Sequence, residues 1–105
     1  SSSGISSSEF VFIGFLPHKK GRETLFKEIA GSSRTIIFYE SVHRIEKTLA
    51  SLEGLLGQDR RIAVARELTK FHEEVLRGTA LEVRKYFEEH QDKVRGEFVV
   101  TIEGK

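Results

Sequence analysis

Thr35-Ile36-Ile37-Phe38-Tyr39, running into Glu40-Ser41-Val42-His43-Arg44, decides the fold of this chain. The first five residues are apolar on both alternating faces, which suits a strand with packing partners above and below it. Ser41 is a good N-cap for a helix whose Val42, Ile45, Leu49, Leu52 and Leu56 form one stripe, with Gly57 as its stop. Upstream, Phe10-Val11-Phe12-Ile13-Gly14-Phe15-Leu16 has the same doubly apolar character and Pro17 ends it. From Arg22 to Ala30, Leu25, Phe26 and Ile29 fall at helical spacing, and Gly31 closes that helix. Downstream, Arg61-Ile62-Ala63-Val64-Ala65 has large residues on one face and two alanines on the other, a face that a helix or a ligand can approach closely. Glu74-Val75-Leu76-Arg77-Gly78 is a short strand, and Thr79-Ala80-Leu81-Glu82 is a Thr-x-x-Glu capping box opening a helix through about His90, with Val83 and Phe87 on its buried face. Glu97 to Glu103 alternates, with Phe98, Val100 and Ile102 on one side, as a strand with one wetter face does.

The element order is therefore β-α-β-α-β-β-α-β, an α/β pattern with no internal repeat. Two successive crossovers make the first three strands parallel, and the short third-to-fourth connection allows an antiparallel pair. The expected architecture is a three-layer α/β/α domain with a mixed, mainly parallel five-stranded sheet.

With 105 residues, 38% hydrophobic and 31% charged, the chain holds one core and not two. Its 17 basic and 16 acidic side chains leave a formal charge of +1, so any pull on nucleic acid must come from a local cluster. The absence of cysteine removes a disulfide scaffold, a thiolate metal site and a cysteine nucleophile. No apolar run reaches the roughly 18 residues of a membrane helix, and no signal-peptide pattern is present. Ser1 to Ser8 is Ser/Gly-rich and lacks methionine, so residues 1–9 read as a linker or a truncation boundary ahead of a domain over 10–105.

If the first three strands are parallel, the segments leaving their C-terminal ends share the ligand edge of an open α/β sheet. They are Pro17-His18-Lys19-Lys20-Gly21-Arg22, Glu40-Ser41-Val42-His43-Arg44, and Arg66-Glu67-Leu68-Thr69-Lys70-Phe71-His72-Glu73-Glu74, each of mixed polar character. His18, Lys19, Lys20 and Arg22 beside a helix N-terminus suit a phosphate backbone, against the plainer reading of a solvated loop. His43 and Arg44 in a first helical turn oppose the macrodipole, which a purely structural sequence avoids, although Glu40 and Arg44 at i,i+4 can pair locally. In the third segment Glu67 with Lys70, and Lys70 with Glu73 or Glu74, have spacings that pair on an exposed helical surface. No P-loop, GxGxxG, Gly-x-Ser-x-Gly or HExxH pattern occurs, and four scattered histidines do not make a metal site.

Four ordered motifs carry a resemblance: Gly14-Phe15-Leu16-Pro17 with Lys19, Tyr39-Glu40-Ser41-x-His43-Arg44, Ala65-Arg66-Glu67-Leu68-Thr69-Lys70-x-His72-Glu73-Glu74, and Gly96-Glu97-Phe98-Val99-Val100. From about Phe10 to Gly104 the chain resembles the C-terminal half of the small-subunit ribosomal RNA methyltransferases of the tetrapyrrole methylase (class III) superfamily. Val42 departs from the family's usual proline, a residue favoured at a helix's first position, and should loosen that turn slightly. The resemblance implies a cytoplasmic, two-domain, typically homodimeric enzyme. It would transfer the methyl of S-adenosyl-L-methionine to a cytidine ribose 2′-hydroxyl in RNA of the small ribosomal subunit.

In that reading the cofactor lies between the domains and the absent N-terminal domain carries the glycine-rich cofactor motifs. This chain supplies one wall and is inactive alone. The resemblance places Tyr39, Ser41, Ala65, Arg66, Thr69 and Glu97 toward the cofactor. Lys19, Lys20, Arg22, His43, Arg44 and Lys70 would hold RNA, and either Glu40 or Glu67 would accept the hydroxyl proton or orient the ribose. Two other readings stand beside it. One is a non-catalytic RNA-binding or dimerisation module, disfavoured because the strand aromatics read as buried. The other is a tetrapyrrole or small-molecule methyltransferase of the same superfamily, which the Tyr-Glu-Ser-x-His-Arg motif argues against.

Overall fold

A computed structural model describes residues 10–17, 20–57, 59–69 and 72–104. The elements run β1 (Phe10–Phe15), α1 (Arg22–Gly31), β2 (Thr35–Ser41), α2 (Ile45–Leu56), β3 (Arg61–Thr69), β4 (His72–Thr79), α3 (Ala80–Glu89), a 3-10 turn (Gln91–Lys93) and β5 (Glu97–Ile102). The expected order and the mixed five-stranded sheet are both present, with strands arranged β1-β2-β5-β3-β4. β1 pairs parallel with β2, whereas β5 runs antiparallel to both β2 and β3, and β4 antiparallel to β3. The first three strands thus share one direction, as expected. Most hydrogen-bonded pairs are nevertheless antiparallel, because the last strand inserts between the second and the third.

The three-layer arrangement is corrected to two layers. Residues of β2, β5 and β3 alternate, and the set Ile36, Phe38, Phe98, Val100, Ile102, Ile62 and Val64 is buried under helices. α1 packs on α2 and α2 on α3, so all three helices lie on this same face. Phe87 of α3 meets Phe98 edge-on at 5.4 Å, and Ile45, Leu49, Leu52 and Leu56 of α2 complete the core. Among the described residues the opposite face carries no helix. There Phe12 is 53% and Phe15 65% exposed, and both rings lie against Tyr39 at 5.2 and 5.3 Å. The apolar pattern on both sides of β1 and β2 is real, but the described residues cover only one side. No helix among the described residues is long and apolar enough to cross a membrane.

Phe12 and Phe15, an odd number of residues apart, would normally point to opposite faces. A bulge between Phe12 and Gly14 restores parity, setting Phe12 opposite Ile37 and Phe15 opposite Tyr39. Gly14 takes φ 86 at this bulge, a conformation open to glycine and costly for L side chains.

Two helix termini are set by side chains. Thr79 accepts from the Glu82 amide at 3.3 Å while Glu82 accepts from the Thr79 amide at 3.0 Å, the reciprocal capping box expected from the sequence. Those two contacts hold the Glu82 carboxyl below its ordinary value. A Cβ on Gly78 would come within 3.1 Å of the Glu82 carboxylate, so the strand reaches this cap through a residue without a side chain. The other device was not foreseen. Arg60 donates to the carbonyls of Ala30 at 2.8 Å, Ile29 at 3.2 Å and Ser32 at 3.1 Å, closing the C-terminal end of α1, and also to Glu103 at 2.5 Å.

Arg60→Met is expected to lower unfolding free energy by about 2 kcal/mol, as charge-assisted hydrogen bonds to carbonyls typically contribute, read as a lower urea midpoint at unchanged slope. Because the folded-state pKa of Glu82 is depressed, its stabilisation is complete above the ordinary 4.5 and is lost as pH falls through the lowered value. Glu82→Gln should therefore flatten the loss of stability below that pH, and an unchanged acid limb would remove the cap as its source.

Candidate active site at the carboxyl edge of the sheet

The ladders bring three of the four sequence motifs to one edge. β5 is antiparallel to its neighbours, so its first residues lie beside the last residues of β2 and β3. Ser41 pairs with Glu97 and Glu97 with Glu67; Glu40 pairs with Phe98 and Phe98 with Arg66; Tyr39 pairs with Val99 and Val99 with Ala65. Adjacent strands lie about 4.8 Å apart, so the Tyr39–Ser41 and Ala65–Glu67 stretches face each other across roughly 10 Å. The described part of the third motif is not the helical surface that its charge spacing allows. β3 continues to Thr69 and β4 begins at His72, because the two strands pair throughout as a hairpin.

Alternation then divides each motif between the two faces. Tyr39 and Ala65 point away from the helices; Glu40 and Arg66 point into them, only 4% and 3% exposed. Ser41 is half-buried and Glu97 exposed at the rim. Ser41 does not cap a helix from Val42. It stays in the β5 ladder, a turn over 42–44 follows, and α2 starts at Ile45 with Arg44 at its N-cap position. His43 and Arg44 consequently lie just outside the helix rather than within its first turn.

Glu40 is built into an internal network. Its Oε1 accepts from the Ser41 amide at 2.9 Å, and its Oε2 accepts from the Thr48 hydroxyl at 2.5 Å and faces the Arg22 guanidinium at 3.6 Å. Arg22 also donates to the Thr48 hydroxyl oxygen at 2.7 Å and to the Pro17 carbonyl at 3.0 Å, and lies 4.8 Å from the centre of the Phe26 ring. Thr48 thus donates once and accepts once, as a hydroxyl can, and is fully buried. Arg66 donates to Glu74 at 2.8 Å, and Glu74 also accepts from Tyr86 of α3 at 3.4 Å. Among the described residues no buried side-chain N or O lacks a partner. Arg22, expected to hold RNA, is turned inward, while Lys20 and His43 are exposed and Arg44 is half-buried. Lys19 and Lys70 lie outside the described residues, and Glu67 and Thr69 are placed by backbone register alone. Thr48 escaped notice because it adjoins an apolar stripe. Its signal was a hydroxyl residue between Ile45 and Leu49, on the buried side of α2.

The family model for "Tetrapyrrole (Corrin/Porphyrin) Methylases" matches residues 2–84. The chain belongs to this methylase family. Over 104 residues it is 47% identical to ribosomal RNA small subunit methyltransferase I of Synechocystis sp. and 44% identical to that of Haemophilus influenzae, covering 98% of this chain and 37% of each relative. The Bacillus subtilis protein of the same name is 46% identical over 103 residues, 97% of this chain and 34% of the relative. The methylase chain therefore spans little more than a third of these relatives. Among solved structures, the cobalt precorrin-4 methyltransferase CbiF superposes with TM-score 0.61 at 14% identity, over 89% of this chain and 40% of that one. The methyltransferase CobJ does so with TM-score 0.63 at 17% identity, over 91% and 41%. These two likenesses show that the fold is shared.

Of the methylase residues singled out in the sequence, those on the open face and rim can meet a ligand directly. Tyr39 presents an exposed ring, Ala65 leaves room beside it, and Glu97 offers a free-standing carboxylate at the rim. This set suits a nucleoside-bearing cofactor, whose base stacks on an aromatic face and whose ribose hydroxyls need acceptors. Among the described residues no group of His, Asp and Glu could hold a metal ion.

Glu40→Gln leaves the Arg22 charge without its counter-ion and is expected to cost about 3 kcal/mol of stability. Combining it with Arg22→Met should cost less than the sum of the two single changes, a coupling read from a double-mutant cycle in urea; additivity would mean that the pair does not interact in solution.

Proposed function

We propose that this domain forms one wall of the cofactor and substrate cleft of an S-adenosyl-L-methionine-dependent methyltransferase. The acceptor would be a cytidine ribose 2′-hydroxyl in RNA of the small ribosomal subunit. The observation that carries the reading is the convergence of the Tyr39–Ser41, Ala65–Glu67 and Glu97–Phe98 motifs on one edge of a methylase sheet, in a chain resembling ribosomal RNA methyltransferases along nearly its whole length. In this reading the whole protein is cytoplasmic, and an N-terminal domain of the same chain supplies the opposite wall.

S-adenosylmethionine supplies an electrophilic methyl group when bound. The work of this domain is to orient the ribose and to receive its proton. Tyr39, Ser41, Ala65 and Glu97 face the cofactor, and Lys20, His43 and Arg44 hold the RNA backbone. Glu40 is assigned no proton, because both of its oxygens are already engaged on the helix side. Arg66, committed to Glu74, positions β3 rather than touching the cofactor. Glu67, beside Glu97 and Ser41 in register, is the proposed proton acceptor.

The reading includes a homodimer, and the uncovered sheet face supports it. Phe12 and Phe15 project from β1, the edge strand of that face. A two-fold axis crossing the strands sets the β1 aromatics of one copy on those of the other, an apolar contact complementary to itself, and leaves Tyr39 and Glu97 to the cofactor. Phe12→Glu with Phe15→Glu in the full-length parent should yield monomers by sedimentation; a persistent dimer would move the contact elsewhere.

The deciding assay is transfer of labelled methyl from S-adenosylmethionine to unmodified small ribosomal subunits by the full-length parent. Glu67→Gln should lower kcat by about 100-fold, with cofactor affinity retained and the acid limb of the pH–rate profile removed. Label in no RNA would overturn the function, and unchanged turnover would overturn the role of Glu67.

A further inference from the structure

The Arg22–Glu40–Thr48 network joins three pieces of chain that the candidate site needs in fixed relation. Arg22 begins α1 and holds the Pro17 carbonyl at the exit of β1; Glu40 ends β2 and holds the Ser41 amide; Thr48 sits one turn into α2. The hydroxyl of Thr48 is the central joint, donating to Glu40 at 2.5 Å and accepting from Arg22 at 2.7 Å. The guanidinium also lies 4.8 Å from the centre of the buried Phe26 ring. Every member is on the helix face, and every segment it anchors emerges at the carboxyl edge: Pro17 after β1 with the Arg22 start of α1, the Tyr39–Ser41 strand end and the His43–Arg44 turn.

We infer that Arg22, Glu40 and Thr48 form a buried brace that positions the RNA-facing connection after β1 against the cofactor-facing end of β2, making Thr48 and Arg22 positioning residues for methyl transfer. This deepens the proposed methyltransferase reading and rests on it. Several features point to positioning rather than to plain stability. A buried ion pair of this kind contributes little net stability over an apolar filling, yet it is sharply directional. Arg22 also holds the Pro17 carbonyl and Glu40 the Ser41 amide, while the Thr48 hydroxyl bonds both side chains, so loosening that joint releases two segments at once. A reactive geometry off by about 1 Å costs on the order of 100-fold in rate, so such slack would register in turnover before it registered in folding.

Thr48→Val keeps shape and removes the joint, whereas Thr48→Ser keeps the hydroxyl. In the full-length parent, Thr48→Val should lower kcat on small ribosomal subunits at least 10-fold with the KM for S-adenosylmethionine little changed, and Thr48→Ser should restore at least a third of it. Hydrogen exchange provides a readout independent of turnover. Amides of Lys20, Gly21 and Ser41 to Arg44 should exchange at least 10-fold faster in Thr48→Val, with those of α3 and β5 unaffected. Local loosening with the expected loss and rescue supports the brace. Equal turnover and exchange in the valine and serine variants would overturn it. A uniform rise in exchange across the domain, with activity falling in step, would also overturn it and leave Thr48 merely structural. If the wild-type parent methylates no RNA, the reaction reading fails. The exchange pattern would still establish or reject the brace as a mechanical link.

Discussion

The antiparallel ladders that hold β5 between β2 and β3 are the constraint on which the rest of this structure depends. Without β5, β2 and β3 have no hydrogen-bonded connection, because β2 otherwise pairs with β1 and β3 with β4. Phe98, Val100 and Ile102, all fully buried, give the inserted strand its hold on the helix layer. Its direction decides function as well. Because β5 is antiparallel, the first residues of the last strand arrive at the last residues of two earlier ones, and motifs far apart in sequence become neighbours.

Strand alternation gives each converging motif two jobs. The inward residue at each site anchors: Glu40 to Arg22 and Thr48, Arg66 to Glu74. The outward residue just before it, Tyr39 or Ala65, is presented to the open side. Burying a charge costs several kcal/mol unless it is paired and hydrogen-bonded, so these two charges require defined partners where an apolar side chain would accept many. That requirement makes the carboxyl edge stiff behind and accessible in front, the arrangement that precise positioning of a ligand demands.

The face away from the helices remains apolar and aromatic, with Phe12 and Phe15 each against Tyr39. Exposed aromatic clusters of this kind mark surfaces that meet another body. They also revise the reason for setting aside a binding role for the sheet: the strand aromatics of β1 are not buried within this chain. Among the described residues the domain therefore has a completed core on one side and an uncovered apolar face on the other, in a chain that spans 37% of its relatives' length.

Much of this was legible in the residues. Element order, the Thr79–Glu82 cap and the buried face of β5 follow from local chemistry, because capping and period-two alternation involve residues a few positions apart. The polar segments grouped by sequence do gather at one edge, since strand direction alone takes them there. What the sequence left open is whatever depends on distant partners. Apolar residues on both faces of β1 and β2 signal that both sides want cover, but not which side this chain's own helices cover. Glu40 as a proton acceptor and Glu40 as an anchor are indistinguishable until Arg22 and Thr48 fold against it. Arg60 likewise is one more charged residue until it meets the end of α1, 30 residues away. Local pattern determined the elements; the placement of β5 and the packing of three helices on a single face decided which polar groups are buried anchors and which lie on the open side.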